Sequence, residues 1–316
     1  MKLASIDIGS NSALLLIAEY DSNSGTLKTL RNEYQISRLA ENLNTAHQIS
    51  EKRILTLKKI LKSYIEIINS YSCSEVIVTG SFALRKAENS EKIRETVKNI
   101  TGKNLRIIQP NEEALFSFLG ASANETTNGF TAVIDIGGGS TEIAVGESQN
   151  LIDYTSFELG VVTLFDMFSP KFPFDEITSE QIANYISKIF DDSTVFIHKH
   201  IKNVIAVAGT PTSLAAIKLG MKDKYLESEI EGSEINTDDI KSFINIGSKL
   251  RGEELVQKYG SILKGRADLL VYGSLILKIA VKKLKTDIVK VSGRGVRYGV
   301  LIKELRDKDL IVNKVI

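Results

Sequence analysis

The chain carries one short pattern twice. Near the N-terminus it reads Ile6-Asp7-Ile8-Gly9-Ser10-Asn11-Ser12, and much later Ile134-Asp135-Ile136-Gly137-Gly138-Gly139-Ser140-Thr141. An apolar run precedes each copy and another follows: Ala13-Leu14-Leu15-Leu16-Ile17 after the first, Glu142-Ile143-Ala144-Val145 after the second. Each copy therefore reads as strand, Asp, Gly/Ser turn, strand. Such a turn offers consecutive backbone N–H groups with few side chains in the way, a geometry that wraps a phosphate. An Asp at the strand end beside it is placed to hold a divalent cation, directly or through water. Two turns of this kind facing each other would form a cleft that holds phosphate from both sides.

At 316 residues the chain is long for one core, so two domains are expected. A net charge of +1 gives no global field that would draw nucleic acid or a membrane surface. The single cysteine, Cys73, excludes an intramolecular disulfide and fits a reducing compartment. Asp7 interrupts the N-terminal apolar run too early for a signal peptide. The longest apolar stretches fall short of the ~18–20 residues that span a bilayer. These features predict a cytoplasmic protein with neither membrane nor nucleic acid as a partner.

Alternation of the two periodicities gives the organisation. Three strands are predicted within 3–34, followed by a helix from Ser50 with Ile54, Leu57, Leu61, Tyr64, Ile65 and Ile68 on one face. A strand at 76–80, helices at 81–87 and 90–100, a strand at 105–108 and a helix from Asn111 complete the first half. The second half repeats the theme with strands at 131–136, 141–147 and 151–158 and helices at 161–168 and 179–200. A strand at 204–208 then leads through a turn, Gly209-Thr210-Pro211-Thr212, to a helix from Ser213. Helical periodicity over 237–285 precedes a strand at 289–292 and a helix at 296–305. The fold class is α/β with an internal duplication.

These motifs resemble the acetate and sugar kinase/Hsp70/actin superfamily and, within it, the exopolyphosphatase and guanosine pentaphosphate phosphohydrolase family. Beside the two turns, Ala83-Leu84-Arg85-Lys86-Ala87-Glu88-Asn89 is similar to an Ala-Leu-Arg-x-Ala-x-Asn segment of that family, and Glu112-Glu113-Ala114 to its Glu-Glu-Ala segment. Gly209-Thr210, Gly265-Arg266-Ala267-Asp268 and Gly295-Val296-Arg297 resemble later blocks. The resemblance implies two duplicated domains of the actin-like ATPase (ribonuclease H-like) type around an interdomain cleft. The first would comprise 1–120 plus a C-terminal helix at about 300–316, the second 121–299. The sequence departs from the family pattern at Leu115, where Arg is usual, and at Tyr298, where Glu is common. It also has Ser81 for Thr, and Ala40 and Asn42 for glycines.

The chemistry implied is removal of a terminal phosphate by water, from inorganic polyphosphate or from the 5′ end of guanosine pentaphosphate. Phosphate would sit on Gly9, Ser10, Asn11 and Ser12, on Gly137, Gly138, Gly139, Ser140 and Thr141, and on Gly209 and Thr210. Asp7, Asp135 and Glu142 would hold Mg²⁺ or another divalent cation, and Arg85 would fork onto a phosphate oxygen. Arg38, Arg266 and Arg297 are further polyanion contacts of second rank. Glu112 and Glu113 both occupy a first helical turn, where acids favour the helix dipole anyway; only the resemblance selects Glu113 as the base. Thr210 reads equally well as a helix N-cap. His198 and His200, expected on a helix, do not share a face and are not expected to hold a metal. The oligomeric state stays open; a homodimer is one arrangement that would extend a basic groove. Two other readings stay open: a small-molecule kinase of the same superfamily, and a non-catalytic sensor of polyphosphate or an alarmone nucleotide.

Overall fold

Twelve strands and their connecting helices build the chain, in a computed structural model that describes residues 1–126, 128–168, 174, 176–198 and 200–316. The strands are β1 (Lys2–Ile8), β2 (Ser12–Asp21), β3 (Thr26–Ile36), β4 (Glu75–Gly80), β5 (Leu105–Ile107), β6 (Phe130–Ile136), β7 (Thr141–Glu147), β8 (Asn150–Phe157), β9 (Ile201–Val207), β10 (Glu234–Asn236), β11 (Ile288–Val291) and β12 (Lys314–Val315). They form two six-stranded sheets in the orders β12-β3-β2-β1-β4-β5 and β10-β11-β9-β6-β7-β8. The chain divides accordingly into two compact units, Met1–Glu125 with Arg294–Ile316, and Thr126–Gly293.

The duplication is visible strand by strand. β1 pairs antiparallel with β2 and parallel with β4; β6 pairs antiparallel with β7 and parallel with β9. β5 extends the first set in parallel beside β4, as β11 extends the second beside β9. Even the register matches: Asp7 lies opposite Leu14 on β2, and Asp135 opposite Glu142 on β7. β10 and β12, at three and two residues, break the symmetry and are too short to show a periodicity in the sequence. β12 is held from the side: the Asn124 carboxamide donates to Val315 O at 2.7 Å and accepts from Val315 N at 2.9 Å.

In the first unit the helix Glu51–Tyr71 is capped by Ser50, whose hydroxyl accepts from Arg53 N. It buries Ile54, Leu57, Ile60, Leu61, Tyr64 and Ile68, while Ile65 is only half-buried. The Tyr64 hydroxyl donates to Ala13 O at 2.7 Å, which fixes this helix at the first residues after the first turn. Burial strongly raises the Tyr64 pKa, so the hydroxyl stays a donor.

The helix Val296–Arg306 packs on the helix Pro110–Ala121 and on β1. Glycines permit the close approach: a Cβ on Gly299 would overlap the Phe116 carbonyl, and one on Gly120 would lie 2.8 Å from Arg294 O. Leu119, Tyr298, Leu301, Ile302 and Leu305 join Leu3 and Leu16 in one buried cluster beneath this crossing.

Two expectations are corrected. The helix predicted over 179–200 is Glu176–Asp191, followed by a separate 3₁₀ turn, Thr194–Ile197, capped by Ser193; position 199 lies outside the described residues. His198 and His200 thus follow the 3₁₀ turn and are on no helix, and His198 Nε2 lies 2.7 Å from Asp153 Oδ2. The predicted turn 209–212 is already helical, in Gly209–Lys218. Gly and Pro mimic a turn signal there, but both are tolerated in a first helical turn, where the N–H that proline lacks would have no intrahelical partner. Among the described residues, no helix is long and apolar enough to cross a membrane.

Gly299→Ala should lower unfolding free energy by about 3 kcal/mol, the upper end of overpacking costs, because helix backbone must move. Urea denaturation of the variant against wild type measures it.

Candidate active site

Each turn is fastened by its carbonyls. In the first, Gly9 N donates to Ser12 O at 2.9 Å and closes the loop. Asn11 O accepts from Ser37 N (3.0 Å) and Arg38 N (2.9 Å), and Ser10 O from Ala40 N (2.9 Å). The turn's acceptors thus face the segment after β3. Among the described residues, the amides of Ser10 and Asn11 donate to no protein group. Nor does Asn11 Oδ1, although buried, have a partner.

The second turn repeats this with other means. Gly137 N donates to Ser140 O at 2.9 Å. Here the start of the helix Val161–Phe168 takes the carbonyls: Val161 N to Gly137 O (3.1 Å), Val162 N to Gly138 O (2.8 Å), and Thr163 Oγ1 to Gly139 O (3.2 Å). Thr141 Oγ1 donates to Leu159 O at 2.5 Å. Gly160 lies so close on Gly138 and Gly139 that a Cβ would overlap their backbone. Among the described residues the amides of Gly138, Gly139 and Ser140 donate to no protein group. Both turns therefore present consecutive amides with no protein acceptor among the described residues, the donor arrangement that an anion nest requires.

Asp7 and Asp135 end the central strand of each sheet and are buried. The second turn adds Glu142, directly opposite Asp135, with Ser156 Oγ donating to it at 2.7 Å. Two buried carboxylates facing across a strand pair disfavour each other unless positive charge lies near. Among the described residues no group of three or more His, Cys, Asp or Glu side chains could hold a metal. Two carboxylates suffice for Mg²⁺, which keeps several waters and takes its remaining ligands from phosphate.

Glu112 and Glu113, equivalent in the sequence, part company in the fold. The helix Pro110–Ala121 opens with proline and a capping box, in which Glu112 accepts from Gln109 N at 2.9 Å; Arg106 also pairs with Glu112. Against the upward push of burial, these two partners hold the Glu112 carboxyl below the ordinary range. Glu113 is turned inward and buried. Its Oε2 accepts from Arg85 Nη1 at 2.7 Å, and the same nitrogen donates to Ile108 O at 2.8 Å. One carboxylate caps the helix, and the other forms a sequestered pair with Arg85.

The other predicted residues lie as follows. Gly209 and Thr210 form the first helical turn after β9, and Thr210 packs its side chain on Gly273. Arg266 Nη1 reaches Gly209 O (3.4 Å) and Ser213 Oγ (3.2 Å), so it stands at that helix start. Arg38 is at the first turn through its backbone. Arg297 instead donates to Asn32 Oδ1 at 2.9 Å, on β3, with its guanidinium over the Tyr298 ring. Tyr298 belongs to the apolar cluster beneath the helix crossing, and Leu115, half-buried, packs against it. Gly160 and Thr163 carry the second turn and had no signal in the sequence beyond a glycine before an apolar run.

A model of the Ppx/GppA phosphatase family matches residues 16–308. A bifunctional 3-dehydroquinate synthase/phosphatase of Fusobacterium nucleatum is 27% identical over 96% of this chain and 47% of its own length. Exopolyphosphatase 1 of Mycobacterium tuberculosis is 23% identical over 96% of this chain and 88% of its own. The chain thus spans about half the length of the first relative and most of the second. The solved Ppx/GppA family member of Aquifex aeolicus superposes with a TM-score of 0.82 at 26% identity, over 98% of this chain and 99% of that one. The duplicated sheet order is that of the actin-like ATPase fold.

Gly160→Ala should push the helix Val161–Phe168 off the second turn. Isothermal titration with pyrophosphate is expected to show weaker binding, and thermal melting a stability lower by about 1–3 kcal/mol.

Proposed function

Since the chain belongs to the Ppx/GppA phosphatase family, we propose that it is a phosphohydrolase releasing the terminal phosphate of inorganic polyphosphate, the 5′-phosphate of guanosine pentaphosphate, or both. The observation that carries this reading is the ion pair of Arg85 with the buried Glu113, within the unit that also presents the first amide turn. Phosphoryl transfer needs positioning and charge neutralisation more than covalent chemistry. Each turn offers amides to phosphate oxygens. Arg85 holds Glu113 by one oxygen, and Oε1 is left to accept a proton from the attacking water. The arginine also balances the negative charge that a carboxylate would bring to a polyanion.

Asp135 and Glu142 are the residues to hold Mg²⁺, with Asp7 the corresponding carboxylate of the first unit. Bound there, the cation would neutralise phosphate charge. Tyr298 is buried in the apolar cluster and Leu115 packs against it, so these departures from the family pattern lie in packing and give the sensor reading no support. No observation favours a kinase. The cytoplasmic setting and the homodimer remain part of the proposal.

Phosphate release from long-chain polyphosphate and from guanosine pentaphosphate, run in parallel with Mg²⁺, tests the reading. Wild type should release phosphate from at least one, and Glu113→Gln should lose about 10²- to 10⁴-fold in kcat. No release from either substrate overturns it. Mg²⁺ should raise the melting temperature of wild type, and Asp135→Asn should lose that increment; an equal increment in both would remove Asp135 from the cation site.

A further inference from the structure

Asn89 directly precedes the helix Ser90–Thr101, where an asparagine ordinarily turns its side chain to cap the helix amides. It does not cap. Its carboxamide instead reaches back forty residues and brackets Ile49, accepting from Ile49 N at 2.9 Å and donating to Ile49 O at 2.9 Å. One side chain thus replaces a neighbouring strand for a buried residue. Around it, Glu88 N donates to His47 O at 2.9 Å, and Gln48 Nε2 to Glu88 Oε2 at 3.4 Å.

What is clamped is the far end of the segment that fastens the first turn. Residues 37–40 supply the three N–H groups that hold Ser10 O and Asn11 O. Between them and Ile49 the backbone enters the left-handed region at Arg38 (φ 50°), Asn42 (φ 58°) and His47 (φ 54°). Non-glycine residues persist in that conformation only when their surroundings hold them there. Glu41, paired with Arg53 of the helix Glu51–Tyr71, is a second hold. On its other side, Asn89 stands four residues after Arg85, joined by the end of the short helix Phe82–Lys86.

We propose that Asn89 is a positioning residue, which sets the first amide turn in register with the Arg85–Glu113 pair. This rests on the phosphohydrolase reading. A shift of the turn against the water-orienting carboxylate weakens the transition state more than the bound substrate, so its signature is in kcat. Asn89→Ala removes both bonds. Asn89→Asp keeps an acceptor for Ile49 N–H but sets a carboxylate oxygen against Ile49 O, so it should lose at least as much as Asn89→Ala.

The test is steady-state phosphate release, assayed well below the melting temperature of every variant, together with amide hydrogen exchange. For Asn89→Ala kcat should fall about 10- to 100-fold with KM little changed, and the amides of Ser37, Arg38 and Ala40 should exchange faster. A variant with wild-type kcat overturns the proposal, as does a loss wholly in KM. If wild type itself hydrolyses neither substrate, the phosphohydrolase reading fails first. Exchange at those three amides then decides the positioning claim: unchanged rates in Asn89→Ala overturn it.

Discussion

The structure depends on where the carbonyls of two short turns are held. A glycine-rich turn is not an anion site by composition; its peptide groups can point either way. Here the acceptors of each turn are engaged from behind, by the amides of Ser37, Arg38 and Ala40 in one unit and by a helix start in the other. With the acceptors committed, the amides of Ser10, Asn11, Gly138, Gly139 and Ser140 have no protein acceptor among the described residues. Desolvated, pre-aligned dipoles stabilise developing charge without reorganising, and a loose phosphoryl transition state needs that above all.

The second constraint is the separation of two adjacent glutamates. A capping box takes Glu112 and turns its neighbour inward to Arg85. Burying a carboxylate alone is costly, and the ion pair with Arg85 offsets this. The glycine-mediated crossing of the helices Pro110–Ala121 and Val296–Arg306 fixes the helix that carries Glu113. Packing far from the turns therefore bears on the orientation of the candidate base.

Much of this was legible in the sequence, for definite reasons. The repeated strand–Asp–turn–strand pattern gave the duplication, because β1 and β6 are buried central strands with near-continuous apolar runs. Asn42, where the family pattern has glycine, does adopt a left-handed conformation. Residues acting through tertiary contact were not legible. Asn89 reads as a helix cap, and its real partner is remote in sequence. Gly160 matters because of what lies over it, and Arg297 turns to Asn32. Helix position alone did not separate Glu112 from Glu113; the family resemblance selected Glu113, and the capping box accounts for Glu112. Gly209 and Pro211 misled because a first helical turn tolerates the residues that also make turns.

The central claim is that water, oriented by Glu113, attacks a terminal phosphate. Hydrolysis in ¹⁸O-labelled water, with the phosphate released in a single turnover analysed by mass spectrometry, tests it directly. The account predicts one solvent oxygen in each released phosphate and loss of that labelled product in Glu113→Gln. Unlabelled phosphate, or transfer of the phosphoryl group to another acceptor, would contradict it.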